Sequence, residues 1–122
     1  MPVTIKRAYE KPGARDGICI LVDGLWPRGV SKADLKISAW EKAIAPSKAL
    51  RVWYGHDPAK WPEFRKRYRK ELAESPRREV LDRLIAMAEQ GNLTLVFGAR
   101  DAEHSNAAVI AELIREKLKD DR

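Results

Sequence analysis

Two apolar runs constrain the fold of this chain more than any other feature of its sequence. Residues 18–22 read ICILV and residues 93–97 read LTLVF, and each run passes directly into a polar turn that contains glycine. Largely apolar runs of this length are typical of strands that are covered on both faces, as in a parallel sheet. We therefore predict that both runs form central strands of one sheet.

Strand and helix patterns alternate along the rest of the chain. Residues 3–9, VTIKRAY, alternate in polarity and predict a further strand. Ser38 and Glu41 have the spacing of a capping box, which predicts a short helix after Ser38. Residues 47–54 mix helical and strand spacing, and we favour a helix because Gly55 is well suited to follow one.

Two longer helices are predicted between residues 57 and 91, and another follows the second apolar run. Asp57 and Pro58 are typical of a helix start, although Pro62 favours a regular helix that begins nearer residue 62. Each helix has one apolar stripe, which we expect to face inward. In the first of them the stripe consists of Trp61, Phe64, Tyr68 and Leu72.

Strands interspersed with helices predict one α/β domain over residues 1–122. We expect a small, mostly parallel sheet with helices packed on it, in a Rossmann-like layering. Three strands are predicted, and a fourth pairing, for example across a homodimer, stays open. The composition is 44% hydrophobic, which is enough for a core and argues against intrinsic disorder.

The same composition bears on where the protein works. No apolar run approaches the ~20 residues that a membrane-spanning helix needs, and the N-terminal sequence has no apolar stretch of signal-peptide length. The single cysteine, Cys19, has no partner for an intrachain disulfide. We therefore predict a cytoplasmic protein that does not act at a membrane.

Polar side chains follow both buried runs. In open α/β sheets, ligands bind at the carboxyl ends of the strands, so two parallel neighbours would bring these side chains to one crevice. The residues expected to face each other there are Asp23, Trp26 and Arg28 after the first run, and Arg100, Asp101, His104 and Asn106 after the second.

This crevice predicts a site for an anionic ligand, phosphorylated or nucleotide-like. Arg28 and Arg100 would clamp the anion, because a guanidinium group binds carboxylate or phosphate with two parallel hydrogen bonds. Asn106 would donate a positioning hydrogen bond, Trp26 would line the crevice, and His56 would close it. These five residues are the predicted binding residues.

An enzyme built on this crevice would use its histidine. His104 would act as general acid or base, because histidine titrates near neutral pH. Asp101 or Asp23 would orient its ring. Whether the protein is an enzyme at all stays open at this point.

Structural explanations compete with these roles. Asp101 or Ser105 could simply cap the last helix. Arg100 with Asp101, or Arg28 with Asp23, could form ion pairs that tie loops together. His104 could be a surface histidine. Capping and pairing together would still leave Arg100, His104 and Asn106 without a full explanation, and Trp26 is costly to leave in a loop without a role.

We predict no metal and no cofactor. His56 and His104 are the two histidines, and their wide separation matches no recognised metal motif. The sequence also has no glycine-rich phosphate loop and no Gly-x-Ser-x-Gly nucleophile elbow.

A basic segment supports an alternative function. The formal net charge is +6, and residues 60–78 hold eight basic and three acidic residues. If the apolar stripe faces inward, Lys66, Arg67 and Lys70 point outward and could hold the phosphate backbone of a nucleic acid. An ordinary solvated helix explains the same charges. A third reading is a protein-interaction subunit, such as a homodimer held by the polar loops.

Several motifs in this chain resemble a known family. They are IKRAYE, DGICILVDGLWPRGVSK, WEKAIAPSKALRVWYGHDPAKWPEFRKRYRKEL and TLVFGARDAEHSNAAVI, in that order, and they cover nearly the whole chain. The chain is identified as similar to the domain of unknown function 488 family, in its short YeaO-like branch. This resemblance implies a small cytoplasmic α/β protein without an established activity.

The resemblance extends to the polar loops, with two departures. Members commonly have arginine where this chain has Gly24, and a second asparagine where it has Ser105. The Gly24 departure removes one potential anion contact. The residues that match the family pattern are Asp23, Trp26, Arg28, His56, Asp57, Arg100, Asp101, His104 and Asn106.

Overall fold

A parallel sheet is at the centre of the computed structural model, which describes residues 3–11 and 13–120. The predicted domain bounds, 1 and 122, lie outside this range. The strands are β1 (Val3–Arg7), β2 (Ile18–Leu21), β3 (Ala39–Trp40) and β4 (Leu93–Phe97), and their order in the sheet is β1-β4-β2-β3. All three neighbouring pairs are parallel. The predicted α/β fold with a mostly parallel sheet is thereby confirmed.

The two apolar runs form the inner strands of the sheet, as predicted. β4 is buried along its whole length, and Ile20 and Leu21 of β2 are buried as well. A glycine is required just before β2. Gly17 has a φ of +65°, and a Cβ atom there would lie 2.2 Å from the carbonyl oxygen of Asn92. β2 and β4 therefore begin in direct backbone contact.

The capping-box prediction at Ser38 is wrong. Instead of starting a helix, the chain adds the short strand β3 to the edge of β2. The Ser38 N–H donates to the Cys19 carbonyl oxygen at 2.7 Å, and the Glu41 N–H donates to that of Leu21 at 2.9 Å. The sheet edge thus takes the backbone groups that a helix would have used. The fourth strand pairing lies within this chain.

Four α-helices follow in the described part of the chain. They are α1 (Lys48–Tyr54), α2 (Trp61–Leu72), α3 (Arg77–Gln90) and α4 (Asn106–Asp120), with short 3₁₀ helices at Lys42–Ile44, Pro58–Lys60 and Ala102–His104. Ser47 caps α1, and Gly55 follows it in the left-handed conformation, which confirms the predicted helix. The regular part of α2 begins at Trp61, close to the predicted start near residue 62.

The sheet has different covers on its two faces. The main core contains residues from all four helices packed on one face, including the predicted stripe residues Phe64, Tyr68 and Leu72. The other face carries a smaller cluster in which Leu35 and Trp26, both from the loop between β2 and β3, cover Leu21 and Val96. The loop between β2 and β3 therefore covers this face of the sheet in place of a second layer of helices.

None of the helices in the described residues combines the length and the apolar character that a crossing of the bilayer requires.

Candidate functional site

The carboxyl ends of the strands converge on one cavity, as the sequence predicted. Because β2 and β4 are parallel neighbours, the residues that follow them meet, and the Gly98 N–H donates a hydrogen bond to Asp23 Oδ2 at 2.8 Å. The cavity beside this bond has a volume of about 430 Å³. It lies where ligands bind in open α/β sheets.

Most of the predicted site residues line this cavity. Arg100 and Asp101 are exposed and lie outside the lining. Neither of the two predicted ion pairs, Arg100 with Asp101 or Arg28 with Asp23, occurs among the described residues. The predicted residues that do line the cavity are Asp23, Trp26, Arg28, His56, His104 and Asn106.

His104 is oriented by Asp101. Its Nδ1 lies 2.5 Å from Asp101 Oδ2, and this bond holds the pKa of the Asp101 carboxyl below its usual value. Trp61 packs edge-on against the His104 ring at a centroid distance of 5.2 Å. The Tyr54 hydroxyl donates to the His104 carbonyl oxygen at 2.8 Å. Ring and backbone are thus both held, and Nε2 is the ring nitrogen left for a ligand.

Asp23 is a carboxyl group in a partly buried position. Burial raises the pKa of Asp23 above its ordinary value, while the Gly98 N–H and the Asn106 amide favour the ionised form. Asn106 Nδ2 also donates to the Val22 carbonyl oxygen at 3.1 Å. A carboxylate can accept about four hydrogen bonds, so Asp23 retains acceptor capacity towards the cavity.

Two arginine side chains at the cavity are of interest, one of which, Arg51, acts electrostatically on Asp23. Arg28 and Arg51 both line the cavity, and the side chain of neither forms a hydrogen bond or an ion pair with a described residue. By contrast, Arg65 and Arg69 on α2 are paired with Glu112 on α4. Unpaired guanidinium groups beside a cavity are available to a bound anion.

Sequence reasoning missed Arg51. The residue is on α1, remote in sequence from both strand ends. It reaches the cavity because α1 packs on α2, where Tyr54 stacks on Phe64 at 4.1 Å between ring centroids. No sequence signal indicated this packing, since the periodicity of residues 47–54 was itself ambiguous.

Gly24 has no side chain and therefore leaves space in the cavity next to Arg51. A Cβ atom at position 24 would lie 3.4 Å from the Ala45 Cβ and 3.9 Å from the Arg51 Cζ. A long side chain in this place would compete with Arg51 for space. The departure from the family pattern at Gly24 is therefore accompanied by an arginine that approaches the same point from α1.

His56 is placed at the cavity by an uncommon backbone conformation. Its φ is +57°, directly after Gly55 at +53°. Non-glycine residues are rarely found in this left-handed region. The conformation turns the chain after α1 and brings the His56 ring to 6.1 Å from that of Tyr54.

Apolar side chains form much of the remaining wall. Tyr9, which sequence reasoning did not select, follows β1, and its hydroxyl donates to the Arg28 carbonyl oxygen at 3.1 Å. Trp26 is fixed by a bond from its Nε1 to the Val30 carbonyl oxygen at 2.6 Å and by edge-on packing against Trp40. The other apolar lining residues are Leu25, Pro27, Pro46, Tyr54 and Phe64.

The outward face of α2 is less free than the sequence suggested. Lys66, Arg67 and Lys70 are exposed, as predicted. However, Arg67 Nε donates to Glu63 Oε2 at 2.8 Å, and its guanidinium lies 4.3 Å from the centre of the Trp53 ring. Part of the positive charge of this segment is therefore already neutralised.

The site does not contain a metal-binding cluster of the usual kind. In the described ranges, histidine, cysteine, aspartate and glutamate do not gather in groups of three or more that could hold a metal ion.

Comparisons with known proteins agree with the resemblance seen in the motifs. The chain is 39% identical over 112 residues to the uncharacterised protein Rv3073c of Mycobacterium tuberculosis, and the match covers 92% of each chain. It is 36% identical over 115 residues to the uncharacterised protein YeaO of Escherichia coli, and this match covers 94% of this chain and 98% of YeaO. No solved structure matches. A family model described as the inactive DUF488-N3 subclade matches residues 2–122. The chain therefore belongs to the DUF488 family, in that subclade.

Proposed function

We propose that this protein binds a small anionic molecule in the cavity at the carboxyl ends of the strands and does not convert it. The observation that carries the proposal is that Arg28 and Arg51 meet at one cavity of about 430 Å³ with guanidinium groups that form no hydrogen bond or ion pair with a described residue. Arginine forms strong, two-pronged hydrogen bonds with phosphate and carboxylate. Arg51 takes the clamping role that the sequence had suggested for Arg100.

The charges around the cavity support an anion. Arg28 and Arg51 contribute two permanent positive charges, and His56 and His104 add more when they are protonated. Asp23 is the acidic residue in the lining, and its single negative charge is outweighed by the two arginines. When His104 is protonated, its Nε2–H becomes a donor to the ligand while Nδ1–H remains bound to Asp101.

Binding without turnover agrees with how the hydroxyl groups of the lining are used. Ser105 Oγ donates to the Ala102 carbonyl oxygen at 2.7 Å and accepts from the Ala108 N–H at 3.2 Å. Ser105 therefore caps α4, as one of the structural alternatives predicted. The Tyr54 and Tyr9 hydroxyls donate to the carbonyl oxygens of His104 and Arg28. The hydroxyls of the lining are thus bonded to backbone carbonyl groups and not to the side chains of His104, Asp101 or Asp23, and the description of the subclade as inactive agrees with binding alone.

Titration calorimetry with inorganic phosphate tests this proposal. We expect saturable binding to the wild-type protein and a loss of affinity of at least about tenfold in Arg51→Met, because a hydrogen bond to a charged group is worth about 1.5–3 kcal/mol. Arg100→Met should have a smaller effect, since Arg100 lies outside the lining.

Arg15→Met is the matched control for that experiment. Arg15 lies at the opposite end of the strands, just before β2, where its carbonyl oxygen accepts a bond from Asn92 Nδ2 at 3.0 Å. This variant loses the same charge and should bind phosphate as the wild type does. Equal losses in Arg15→Met and Arg51→Met would mean that only net charge matters, and the proposed site would be wrong.

A further inference from the structure

We infer that the anion bound in this cavity is the phosphate of a nucleoside monophosphate, whose base lies on the apolar rim formed by Tyr9 and Leu25. This inference rests on the proposed function, because it identifies the rest of the molecule that carries the anion. Three observations support it: the size of the cavity, its uncovered apolar rim and the position of Asp23.

The cavity is too large for an inorganic anion alone. Its volume of about 430 Å³ falls in the range of about 300–1,000 Å³ that is typical of sites for small organic ligands. A bare phosphate held by Arg28 and Arg51 would leave most of this space to water. The ligand therefore has an organic body next to its anionic group.

The rim exposes apolar surface that a planar ring would cover. Tyr9 is 50% exposed and Leu25 is 68% exposed, and both line the cavity. The Tyr9 ring is held in place by its bond to the Arg28 carbonyl oxygen, and the Arg7 guanidinium lies 5.2 Å from its centre. Arg7 covers one side of the ring and half of the residue stays exposed, so the ring is a fixed platform on which a nucleobase can stack.

Asp23 requires an uncharged donor in the ligand. A phosphate would be repelled by this carboxyl group, which faces the cavity next to the Gly98 N–H. Ribose hydroxyls are donors of the right kind, and acidic residues in α/β nucleotide sites commonly accept bonds from them. A nucleoside monophosphate supplies all three parts: a phosphate for the arginines, hydroxyls for Asp23 and a ring for Tyr9.

Calorimetry with three probes tests the inference. The probes are inorganic phosphate, ribose 5-phosphate and adenosine 5′-monophosphate, which add the sugar and then the base to the same anion. We expect adenosine monophosphate to bind at least tenfold more tightly than ribose 5-phosphate. In Tyr9→Leu most of this difference should disappear. The ratio of the two affinities is the readout, because the variant also loses the hydrogen bond to the Arg28 carbonyl oxygen, which affects both probes alike. Val52→Ser is the control, because Val52 is 73% exposed and lies outside the lining.

Asp23→Asn separates the role of the sugar from that of the base. The variant should bind phosphate as well as or better than the wild type, because a negative charge is lost. Its affinity for adenosine monophosphate should fall, whereas its affinity for the 2′,3′-dideoxy form should change only by the factor seen with phosphate. A purely structural role of Asp23 would weaken all the probes together.

The failures of the two proposals give different results. If the three probes bind equally tightly and all depend on Arg51, the anion site stands and the nucleotide inference is wrong. If adenosine monophosphate binds but is insensitive to Tyr9→Leu and Arg51→Met, both assignments to this cavity are wrong. If no probe binds, the proposed function is wrong and the inference is wrong with it.

Discussion

At the scale of single residues, Asp23 connects the stability of the protein to its candidate site. The side chain bonds the loop after β4 through Gly98, and its carbonyl oxygen accepts a bond from Trp40 Nε1 at 2.6 Å. Its carboxyl group is nevertheless partly buried, with a raised pKa. Asp23 therefore serves the local structure through its hydrogen bonds while its charge opposes folding, as is common for groups kept for a ligand.

We predict that Asp23→Asn removes a pH dependence of folding. The pKa of Asp23 is near 3.8 in the unfolded chain and is higher in the folded protein. The folded protein therefore binds this proton more tightly than the unfolded chain does. The contribution of Asp23 to the free energy of unfolding is complete below that value and is lost as pH rises through the folded pKa. The wild type should therefore lose stability relative to Asp23→Asn as pH rises above about 4.

Urea denaturation at a series of pH values measures this effect. Asp82→Asn, at an exposed position on α3, is the control and should follow the wild type. A stability difference between Asp23→Asn and the wild type that stays constant with pH would show that burial does not perturb this carboxyl group.

At the same scale, the sequence indicated which residue types belong to the site but not all of their positions. Asp23 and His104 follow buried strands directly, so the parallel sheet places them without further information. Arg51 comes from a helix whose approach is set by side-chain packing. Arg100 has the right chemistry in the right loop, yet two residues after Gly98 it already lies outside the lining. Position along a loop does not fix the direction of a side chain.

At the scale of secondary-structure elements, α2 and α4 are joined by a network of ion pairs. Arg65 Nη2 lies 2.6 Å from Glu112 Oε1, and Arg69 bridges Glu112 and Glu116 at 2.9 Å and 3.0 Å. Arg65 and Arg69 thus hold α2 and α4 together. The basic character of α2 is in part a structural requirement.

We predict that Glu112→Ala lowers the free energy of unfolding by about 1 kcal/mol, because two arginines lose a partner in a partly exposed network. Glu63→Ala, which breaks the exposed pair with Arg67 within α2, should cost about 0.3–0.5 kcal/mol. Urea denaturation compares the two variants at low and high salt. Equal costs would mean that the contacts between α2 and α4 add nothing beyond an ordinary surface pair.

A strand or helix could be predicted from the sequence where the pattern of its own residues determines its secondary structure. The inner strands have continuous apolar runs and the longer helices have strong periodic patterns, and the structure confirms these elements. β3 has two residues, too few for any pattern, and it exists because the edge of β2 offers free backbone groups. The spacing of Ser38 and Glu41 is that of a local helix cap, but hydrogen bonds to the distant strand β2 make this segment a strand.

At the scale of the whole molecule, the net charge of +6 raises the question of nucleic acid. A nucleic-acid module would use Lys66, Arg67 and Lys70 on α2. We expect only weak binding of a labelled single-stranded oligonucleotide, with a Kd above about 1 µM near 150 mM salt. The reason is that arginines of the basic segment are already paired with Glu63, Glu112 and Glu116.

Fluorescence anisotropy across a range of salt concentrations checks this expectation. The triple reversal of Lys66, Arg67 and Lys70 to glutamate should leave adenosine monophosphate binding unchanged. Tight oligonucleotide binding that falls steeply with salt and vanishes in the triple variant would favour the nucleic-acid function instead.

The loop between β2 and β3 has a consequence for how such a protein changes over time. Trp26 and Leu35 seal one face of the sheet, while Trp26 and Arg28 belong to the cavity. A lineage that no longer needed its ligand would still need this loop in order to fold, so Trp26 would be retained under selection for stability alone. The side chains of Arg28 and Arg51 have no structural role of this kind. These arginines, rather than the tryptophan, would be the first to drift, and their retention among descendants would be the sign that a ligand is still bound.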